Sequence, residues 1–280
     1  FCNLIIYIFF YLLNHENSQH IIYFFNDTVE FMIFIITCLF FFILGVFDDK
    51  INISSLKKFF LILIFILPSL LILEDLIIQD VRLSFINQGY DLKNFSIIWT
   101  TVCFLLFINA FNMFDGINLQ SAIYALSLSL VLIFFIGINQ LVITIIISIL
   151  SFIYLNSQSK AFFGDGGTLL LSYIFGFLFI KLYNQNSVIY ADQIVLIMIL
   201  PGLELIRLFF LRLAAKKNPF SADRNHLHHL LLKKFKLFQV NLIVQSLIII
   251  PFIFSLIFGF TFWFIFLVIF IYFSLILKYN

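Results

Sequence analysis

The sequence predicts an all-α integral membrane protein, a polytopic bundle of about ten transmembrane helices with its active site at the cytoplasmic face. Hydrophobic residues make up 63% of the 280 residues, and the mean hydropathy is +1.14. Charged residues make up only 11%, against about 25% in an ordinary soluble domain. A soluble fold cannot hide so much apolar surface from water. Soluble dehydrogenases, nucleases, secreted disulfide scaffolds and DNA-binding modules are therefore excluded as primary interpretations.

Apolar windows place helices along the whole chain, so residues 1–280 are predicted to form one polytopic domain. A spanning helix needs about 20 apolar residues, and about ten such helices account for most of the sequence. The predicted helices lie near residues 1–13, 31–47, 59–73, 95–113, 117–137, 140–155, 167–182, 188–212, 238–258 and 260–277.

The distribution of Lys and Arg predicts the orientation of the bundle. When the loop around residues 48–58 is placed in the cytoplasm, 13 of the 16 Lys and Arg residues fall on the inner side. Only Arg82, Lys93 and Lys181 then fall outside. Because short cytoplasmic loops of membrane proteins are enriched in Lys and Arg, this orientation is favoured, with both termini inside.

The first polar cluster is the pair Asp48-Asp49 at the cytoplasmic end of the helix predicted near 31–47. Two adjacent carboxylates repel each other, and an Asp near hydrocarbon is costly. A divalent cation or a cationic partner would relieve that cost. Taken alone, however, the pair is typical of an acidic helix end that is solvated at the membrane interface.

The second cluster places Asn109, Asn112, Asp115 and Asn118 at every third position of an apolar stretch. At about 100° per residue, neighbours in this series share a helix face. Gly116 can end or bend the helix, so that all four polar side chains converge on one pocket. A helix cap needs only one such residue, and the repetition therefore favours a functional site.

The third cluster is the glycine-rich run around Asp165, which precedes the helix predicted near 167–182. Its glycines allow a close approach of the backbone, and a helix start offers N–H groups to an anion. Asp165 can hold a metal that bridges to the same phosphate. A single glycine-rich turn is weak support, because ordinary loops also use glycine.

The fourth cluster is the longest inner loop, which contains Asp223, Arg224, His226, His228 and His229. On a helix, His226 and His229 share a face. Such a face can bind zinc or donate hydrogen bonds to phosphate oxygens. No cysteine joins the set and the flanking charge is basic, so phosphate is the preferred ligand. A basic juxtamembrane loop against lipid headgroups would explain the lysines but not the histidines.

Alternation of the helices places all four clusters on the cytoplasmic face. Carboxylates, amides, glycines and cationic donors then converge where a soluble phosphate compound can meet a lipid. This combination is typical of metal-assisted phosphoryl transfer, in which positioning and charge neutralisation supply most of the catalysis.

In this order the clusters resemble the polyprenyl-phosphate N-acetylhexosamine-1-phosphate transferases, the WecA/MraY superfamily (glycosyltransferase family 4). The resemblance runs from about Gly45 to His229 and is most specific in NAFNMFDGIN, FFGDGG and PFSADRNHLHH. The last run is similar to the WecA or TagO branch. The family implies transfer of a sugar 1-phosphate from a UDP-sugar to a polyprenyl phosphate such as undecaprenyl phosphate, with release of UMP, as the first membrane step of a cell-envelope glycan pathway.

The resemblance also implies Mg²⁺, with Mn²⁺ as a substitute, and a multi-pass protein of the bacterial inner (cytoplasmic) membrane. It implies catalytic roles for four acids, Asp48, Asp49, Asp115 and Asp165. It implies metal ligation by Asn112 and Asp165. Substrate binding is expected of Asn109, Asn118, Phe162, Arg224, His226, His228 and His229, with Phe162 stacking on uracil. No nucleic-acid partner is expected, and a homodimer is left open.

The chain departs from the family pattern at several positions. Asn118 stands where the family usually has a second acid, Gly167-Thr168 where it has glycine–serine, and Leu61-Ile62 where it has a glutamine. The early basic HxxPxPRxGG-like motif is missing, and we expect that the sequence lacks the family's N-terminal helix and first cytoplasmic loop.

Two alternatives remain open from the sequence. One is a membrane transporter, for a divalent cation or for a lipid-linked glycan, with Glu204 beside Pro201-Gly202 as its main intramembrane acid. The other is an inactive fragment of the transferase family. The sequence names neither the sugar nor the glycan pathway.

Overall fold

The computed structural model describes residues 25–185, 189–216 and 225–279. Within these ranges, eight helices are long and apolar enough to cross a membrane, and a further apolar helix has 17 residues. The α-helices are α1 (Thr28–Ile51), α2 (Ser55–Ile72), α3 (Ser96–Phe114), α4 (Gln120–Ile136), α5 (Gln140–Ser157), α6 (Gly164–Gln185), α7 (Ala191–Ala214), α8 (Leu227–Leu232), α9 (Leu237–Phe258) and α10 (Thr261–Tyr279). The prediction of an all-α polytopic membrane protein is confirmed.

Nine of the ten predicted spans have a counterpart among these helices, and the span at residues 1–13 lies outside the described residues. The bounds differ most at α1, α2 and α6. Helix α1 continues through residues 48–51, past its predicted end at 47, and α2 and α6 begin at residues 55 and 164, before their predicted starts at 59 and 167. The aspartate pair and Asp165 therefore lie in helical turns.

The central helix of the bundle is α6, which packs against α1 and α3 and is buried along most of its length. Aromatic rings fill the contact with α1. Tyr173 stacks on Phe41 with ring centroids 5.0 Å apart, and Phe177 lies 4.7 Å from Phe34. A Cβ atom at Gly45 would overlap the backbone carbonyl of Asp165. This close approach of the two backbones brings the last turn of α1 against the first turn of α6.

A small antiparallel hairpin lies at the other end of the bundle, between α2 and α3. Its strands are β1 (Asp80–Val81) and β2 (Tyr90–Asp91), and short 3-10 turns at Glu74–Leu76 and Lys93–Phe95 flank it. No strands were predicted in this segment. Asp192 at the start of α7 accepts a hydrogen bond of 2.9 Å from the backbone N–H of Ser84, which fixes the hairpin to the bundle.

Candidate active site

The ammonium group of Lys58 lies between two of the predicted site carboxylates. Its Nζ is 2.7 Å from Asp165 Oδ2 and also forms an ion pair with Asp48 Oδ2. Asp48 is buried, and its Oδ1 accepts a hydrogen bond of 2.7 Å from the backbone N–H of Ile53. The ends of α1, α2 and α6 thus supply two carboxylates and one cation to a single point. The charge of Lys58 offsets that of Asp48 and so lowers the repulsion expected between the two adjacent aspartates.

Asp49 faces the start of α6 and accepts hydrogen bonds from its free backbone N–H groups. Asp49 Oδ1 is 2.9 Å from the N–H of Asp165, and Oδ2 is 3.3 Å from that of Gly166. Gly164 has φ +59°, and a Cβ atom there would lie 2.6 Å from Asp49 Oδ2, so that a glycine is required. The sequence predicted that these N–H groups receive an anion, and the anion in the structure is Asp49 itself.

Asn112 and Asp115 reach the same region from the end of α3. Asn112 Oδ1 lies 3.1 Å from the hydroxyl of the buried Thr168, which is also 3.0 Å from the carbonyl oxygen of Gly164. Asp115 follows the last residue of α3 and accepts a hydrogen bond from the hydroxyl of Ser121. Burial, together with the negative charge of Asp49, raises the pKa of Asp115 to about 6, even though the hydrogen bond from Ser121 acts in the opposite direction.

The two other asparagines of the second cluster point elsewhere. Asn109 donates a hydrogen bond of 2.7 Å to the carbonyl oxygen of Leu105 and lines an apolar cavity between α2, α3 and α7. Asn118 donates a 2.9 Å hydrogen bond to Ser159 in the turn that leads to α6. The predicted convergence of all four polar side chains is therefore reduced to Asn112 and Asp115, because Asn109 bonds to its own helix and Asn118 to the turn at Ser159.

Two adjacent phenylalanines before α6 have different environments. Phe163 stacks on Phe152 with ring centroids 3.8 Å apart and an interplanar angle of 15°. Phe162 is 67% exposed. The exposed ring, which is the one predicted to stack on a base, is available for a planar ligand.

The histidine segment, residues 225–232, lies over the turn that follows α3. A Cβ atom at Gly116 would overlap the imidazole ring of His228, so that the ring rests directly on the glycine backbone. The rings of His226 and His228 are stacked with centroids 5.1 Å apart, and His229 lies edge-on to His228 at 4.4 Å. Arg224 lies outside the described residues.

His228 is an uncharged member of this segment near neutral pH. Burial, together with the neighbouring rings of His226 and His229, lowers its pKa to about 3, against the opposing charge of Glu204. A neutral imidazole can donate one hydrogen bond to a phosphate oxygen, but it adds no positive charge to the site.

The donor atoms at the meeting point of α1, α3 and α6 fit a hard divalent cation. Within the described ranges, no group of three or more His, Cys, Asp or Glu side chains is arranged to hold a metal. Asp48 and Asp165 nevertheless already converge on a cation, the Lys58 ammonium, and Asn112 adds an amide oxygen on the same side of α6. Carboxylate and amide oxygens with open positions for phosphate and water are the ligands that Mg²⁺ takes in phosphoryl-transfer sites.

Sequence reasoning missed three residues of this region, Lys58, Ser121 and Thr168. Lys58 stands beside Lys57, and both counted only as inner basic residues. Ser121 and Thr168 resemble the other hydroxyl residues of apolar helices, which bond to their own backbone. The available signal was that Lys58 lies in the first turn of the helix that follows the aspartate pair.

The sequence is similar to those of known sugar-1-phosphate transferases. The chain is 29% identical over 157 residues to the undecaprenyl-phosphate alpha-N-acetylglucosaminyl 1-phosphate transferase of Escherichia coli K12. This match covers 52% of this chain and 41% of that protein. It is 28% identical over 206 residues to the probable undecaprenyl-phosphate N-acetylglucosaminyl 1-phosphate transferase of Bacillus subtilis 168. This match covers 68% of this chain and 55% of that protein. The chain thus spans about half the length of the curated relatives it matches.

The family comparison covers the region in which most of the site lies. The sequence model of glycosyl transferase family 4 matches residues 31–183, more than half of the chain. The match runs from Phe31 in the first turn of α1 to Tyr183 in α6, and it includes the aspartate pair, Lys58, the end of α3 and the first turn of α6. The chain belongs to glycosyl transferase family 4.

Proposed function

We propose that the protein transfers a sugar 1-phosphate, an N-acetylhexosamine 1-phosphate, from a UDP-sugar to undecaprenyl phosphate or another polyprenyl phosphate and releases UMP. The observation that carries this proposal is the convergence of Asp48, Asp49, Asn112, Asp165 and Lys58 at one end of a membrane-embedded bundle. The names of the relatives support the same reaction. It would be the first membrane step of a cell-envelope glycan pathway.

In this reaction an oxygen of the lipid phosphate attacks the β-phosphorus of the UDP-sugar. The bond between the β-phosphorus and the bridging oxygen breaks, and UMP leaves with that oxygen. Asp48 or Asp49 would keep the attacking phosphate deprotonated, and Lys58 would offset the negative charge of the carboxylates beside it. Asn112 and Asp165 would hold Mg²⁺, or Mn²⁺ in its place, which when bound neutralises charge on the diphosphate.

The UDP-sugar would bind on the polar side of the place where Lys58 contacts Asp48 and Asp165. The exposed ring of Phe162 is suited to stack on uracil, and Asn118 lies on the adjoining turn. His226, His228 and His229 would donate hydrogen bonds to the phosphates or the sugar.

The acceptor would enter sideways from the bilayer. An open cavity of about 330 Å³ lies between α2, α3 and α7. Its lining consists of apolar side chains and the side-chain amide of Asn109. Such a lining suits an isoprenoid chain. Asn109 would then contact the acceptor at the polar end of this cavity.

The location of the site in the cell follows from the same proposal. UDP-sugars are soluble, so the polar end of the bundle would face the cytoplasm from the bacterial inner membrane, as the inner excess of Lys and Arg predicts. A homodimer stays open, as it is from the sequence.

The transporter alternative is not favoured. A carrier needs an intramembrane acid that is open to its cargo, but the carboxylate of Glu204 is buried and already bound by Arg207 and Tyr272. The inactive fragment is not favoured either, because the described residues bring Asp48, Asp165 and Lys58 together at one end of the bundle.

The experiment is UMP release by membranes that contain the protein, supplied with undecaprenyl phosphate, Mg²⁺ and UDP-GlcNAc, UDP-GalNAc or a UDP-linked 6-deoxy amino sugar. Lipid-dependent release from one donor is expected. Asp165→Asn should abolish release while the protein still inserts, whereas the matched change Asp91→Asn on the hairpin should not. Full activity of Asp165→Asn would refute the metal assignment, and no release from any donor would refute the reaction.

A further inference from the structure

A buried carboxylate in α7 is bound by groups from three different helices. Glu204 is 2% exposed. Its oxygens accept hydrogen bonds from the hydroxyl of Tyr272 on α10, from Arg207 Nη2 at 3.1 Å, and from the backbone N–H of Leu227 at 3.3 Å. His226 Nδ1 lies 3.2 Å from Oε2. Two of these partners belong to the histidine segment, which begins outside the membrane-spanning helices.

The guanidinium of Arg207 reinforces the same attachment. Arg207 Nη2 donates a hydrogen bond of 2.6 Å to the backbone carbonyl of Asn225, and Nε donates one of 2.6 Å to Tyr272 Oη. The backbone on both sides of His226 is therefore held by one acid–base pair, with Asn225 bound to the arginine and Leu227 to the glutamate.

The opposite side of the histidine segment touches the candidate active site. The ring of His228 rests on the backbone of Gly116, directly after Asp115, and it stacks on His226. A displacement of Asn225–Leu227 would therefore move His228 relative to the turn that follows α3.

We propose that Glu204 is a positioning residue that holds the histidine segment in register over the Asp115-Gly116 turn, so that its imidazoles meet the phosphates of the UDP-sugar. The inference rests on the proposed transferase function. A carboxylate in an apolar helix is expensive, and apolar side chains would join α7 to α10 at lower cost. Only an acceptor can bind the N–H of Leu227, which ties this acid to the histidine segment.

The test compares Glu204→Gln with Asp192→Asn in the purified protein reconstituted in lipid nanodiscs. Both changes neutralise a buried, hydrogen-bonded carboxylate of α7, but Asp192 binds the hairpin at the other end. For Glu204→Gln we expect the KM for the UDP-sugar to rise about tenfold. The amide keeps one acceptor oxygen but loses the charge of the carboxylate, a loss equivalent to about one hydrogen bond to a charged group. The kcat and the KM for the lipid phosphate should change less than about threefold. Asp192→Asn should leave all three constants near the wild-type values.

A second readout does not depend on activity. Backbone hydrogen exchange of residues 225–232 should become faster in Glu204→Gln and stay unchanged in Asp192→Asn. Tyr272→Phe removes one hydrogen bond to Glu204 and should shift both readouts in the same direction by a smaller factor, which keeps the test decisive where Glu204→Gln does not accumulate.

The outcomes separate the two proposals. An unchanged donor KM, or a loss confined to thermal stability and kcat, overturns the positioning role even when UMP release by the wild type is robust. A wild-type protein that releases no UMP refutes the transferase function. Hydrogen exchange then decides whether Glu204 holds the histidine segment.

Discussion

At the scale of single residues, Lys58 decides whether the carboxylates of the candidate site can coexist. Its ammonium is held by Asp48 and Asp165 at the junction of three helices. Loss of one partner of a buried ion pair is more damaging than the pair is stabilising, because the remaining charge is left uncompensated. Here two carboxylates would be left facing each other.

Lys58→Met should therefore lower stability in a way that a divalent cation repairs. We expect a loss of about 2 kcal/mol after allowance for partial exposure of the pair, measured as a lower Tm of the purified protein in EDTA. Added Mg²⁺ should restore most of the Tm, because the carboxylates then regain a cation. Lys57→Met, on the neighbouring exposed lysine, is the control and should behave as the wild type. Equal losses in both variants, or no response to Mg²⁺, would contradict the prediction.

Asp115 should make stability depend on pH. Its pKa is raised from 3.8 to about 6 by burial, so between these values the folded state binds more protons than the unfolded state. The stability that this residue contributes is present below pH 3.8 and is lost as the pH rises through about 6. Asp115→Asn removes the titration and keeps an acceptor for Ser121. The Tm of the variant should exceed that of the wild type near pH 7.5, and the difference should shrink towards pH 4.5. A difference that is independent of pH would show that the carboxylate titrates normally.

The residue types of the candidate site were predictable, but their partners were not. Asp48, Asp165 and Asn112 stood out because polar residues are rare in apolar helices. The sequence could not show that Asp49 caps α6, since the two residues involved are 116 positions apart. Glu204 was visible as an intramembrane acid, yet its attachment to the histidine segment depends on the packing of α7 against α10.

At the scale of helices, the contact of α1 with α6 depends on the absence of a side chain at Gly45. A Cβ atom there would overlap the backbone of Asp165, which cannot move as a flexible side chain can. Gly202 in α7 offers a matched comparison, because a Cβ atom there meets nothing within 4 Å.

Gly45→Ala should push the last turn of α1 away from α6 and so separate Asp49 from the N–H groups that it caps. We expect destabilisation of about 1–3 kcal/mol, as for other overpacked sites, together with loss of UMP release. Gly202→Ala should be neutral or stabilising by up to about 1 kcal/mol, because alanine is the better helix former. Thermal unfolding and UMP release of the two variants provide the check. Equal stability of Gly45→Ala and Gly202→Ala would refute the close contact.

The helices were predictable because each span must bury about 20 apolar residues in the bilayer, a signal that no loop in this chain imitates. The hairpin was not predictable in the same way. Its strands have two residues each, too few for an alternating pattern, and Asp192 and Ser84 fix it through contacts that are distant in sequence. The predicted bounds of α1, α2 and α6 were too short at their polar ends, because an apolar window stops at the first charged or polar residues even where the helix continues.

At the scale of the whole molecule, the two ends of the bundle are chemically different. One end carries the aspartate pair, Lys58, the turn after α3 and the histidine segment. The other carries the hairpin and the buried ion pair of Glu30 with Lys181. Helix α6 connects them, since Asp165 lies in its first turn and Lys181 in its last turns. The candidate site therefore belongs to one membrane surface.

That surface should face the cytoplasm. The prediction rests on 13 of 16 Lys and Arg residues falling on the same side, because insertion retains short basic loops in the cytoplasm. Single cysteines at the exposed positions Ser159, beside the site, and Tyr90, on the hairpin, report the two surfaces in a variant whose native cysteines are replaced by serine. In intact spheroplasts a membrane-impermeant maleimide should label Tyr90→Cys at once and Ser159→Cys only after permeabilisation. The reverse pattern would place the site outside, where UDP-sugars are not supplied, and would contradict the proposed reaction together with the orientation.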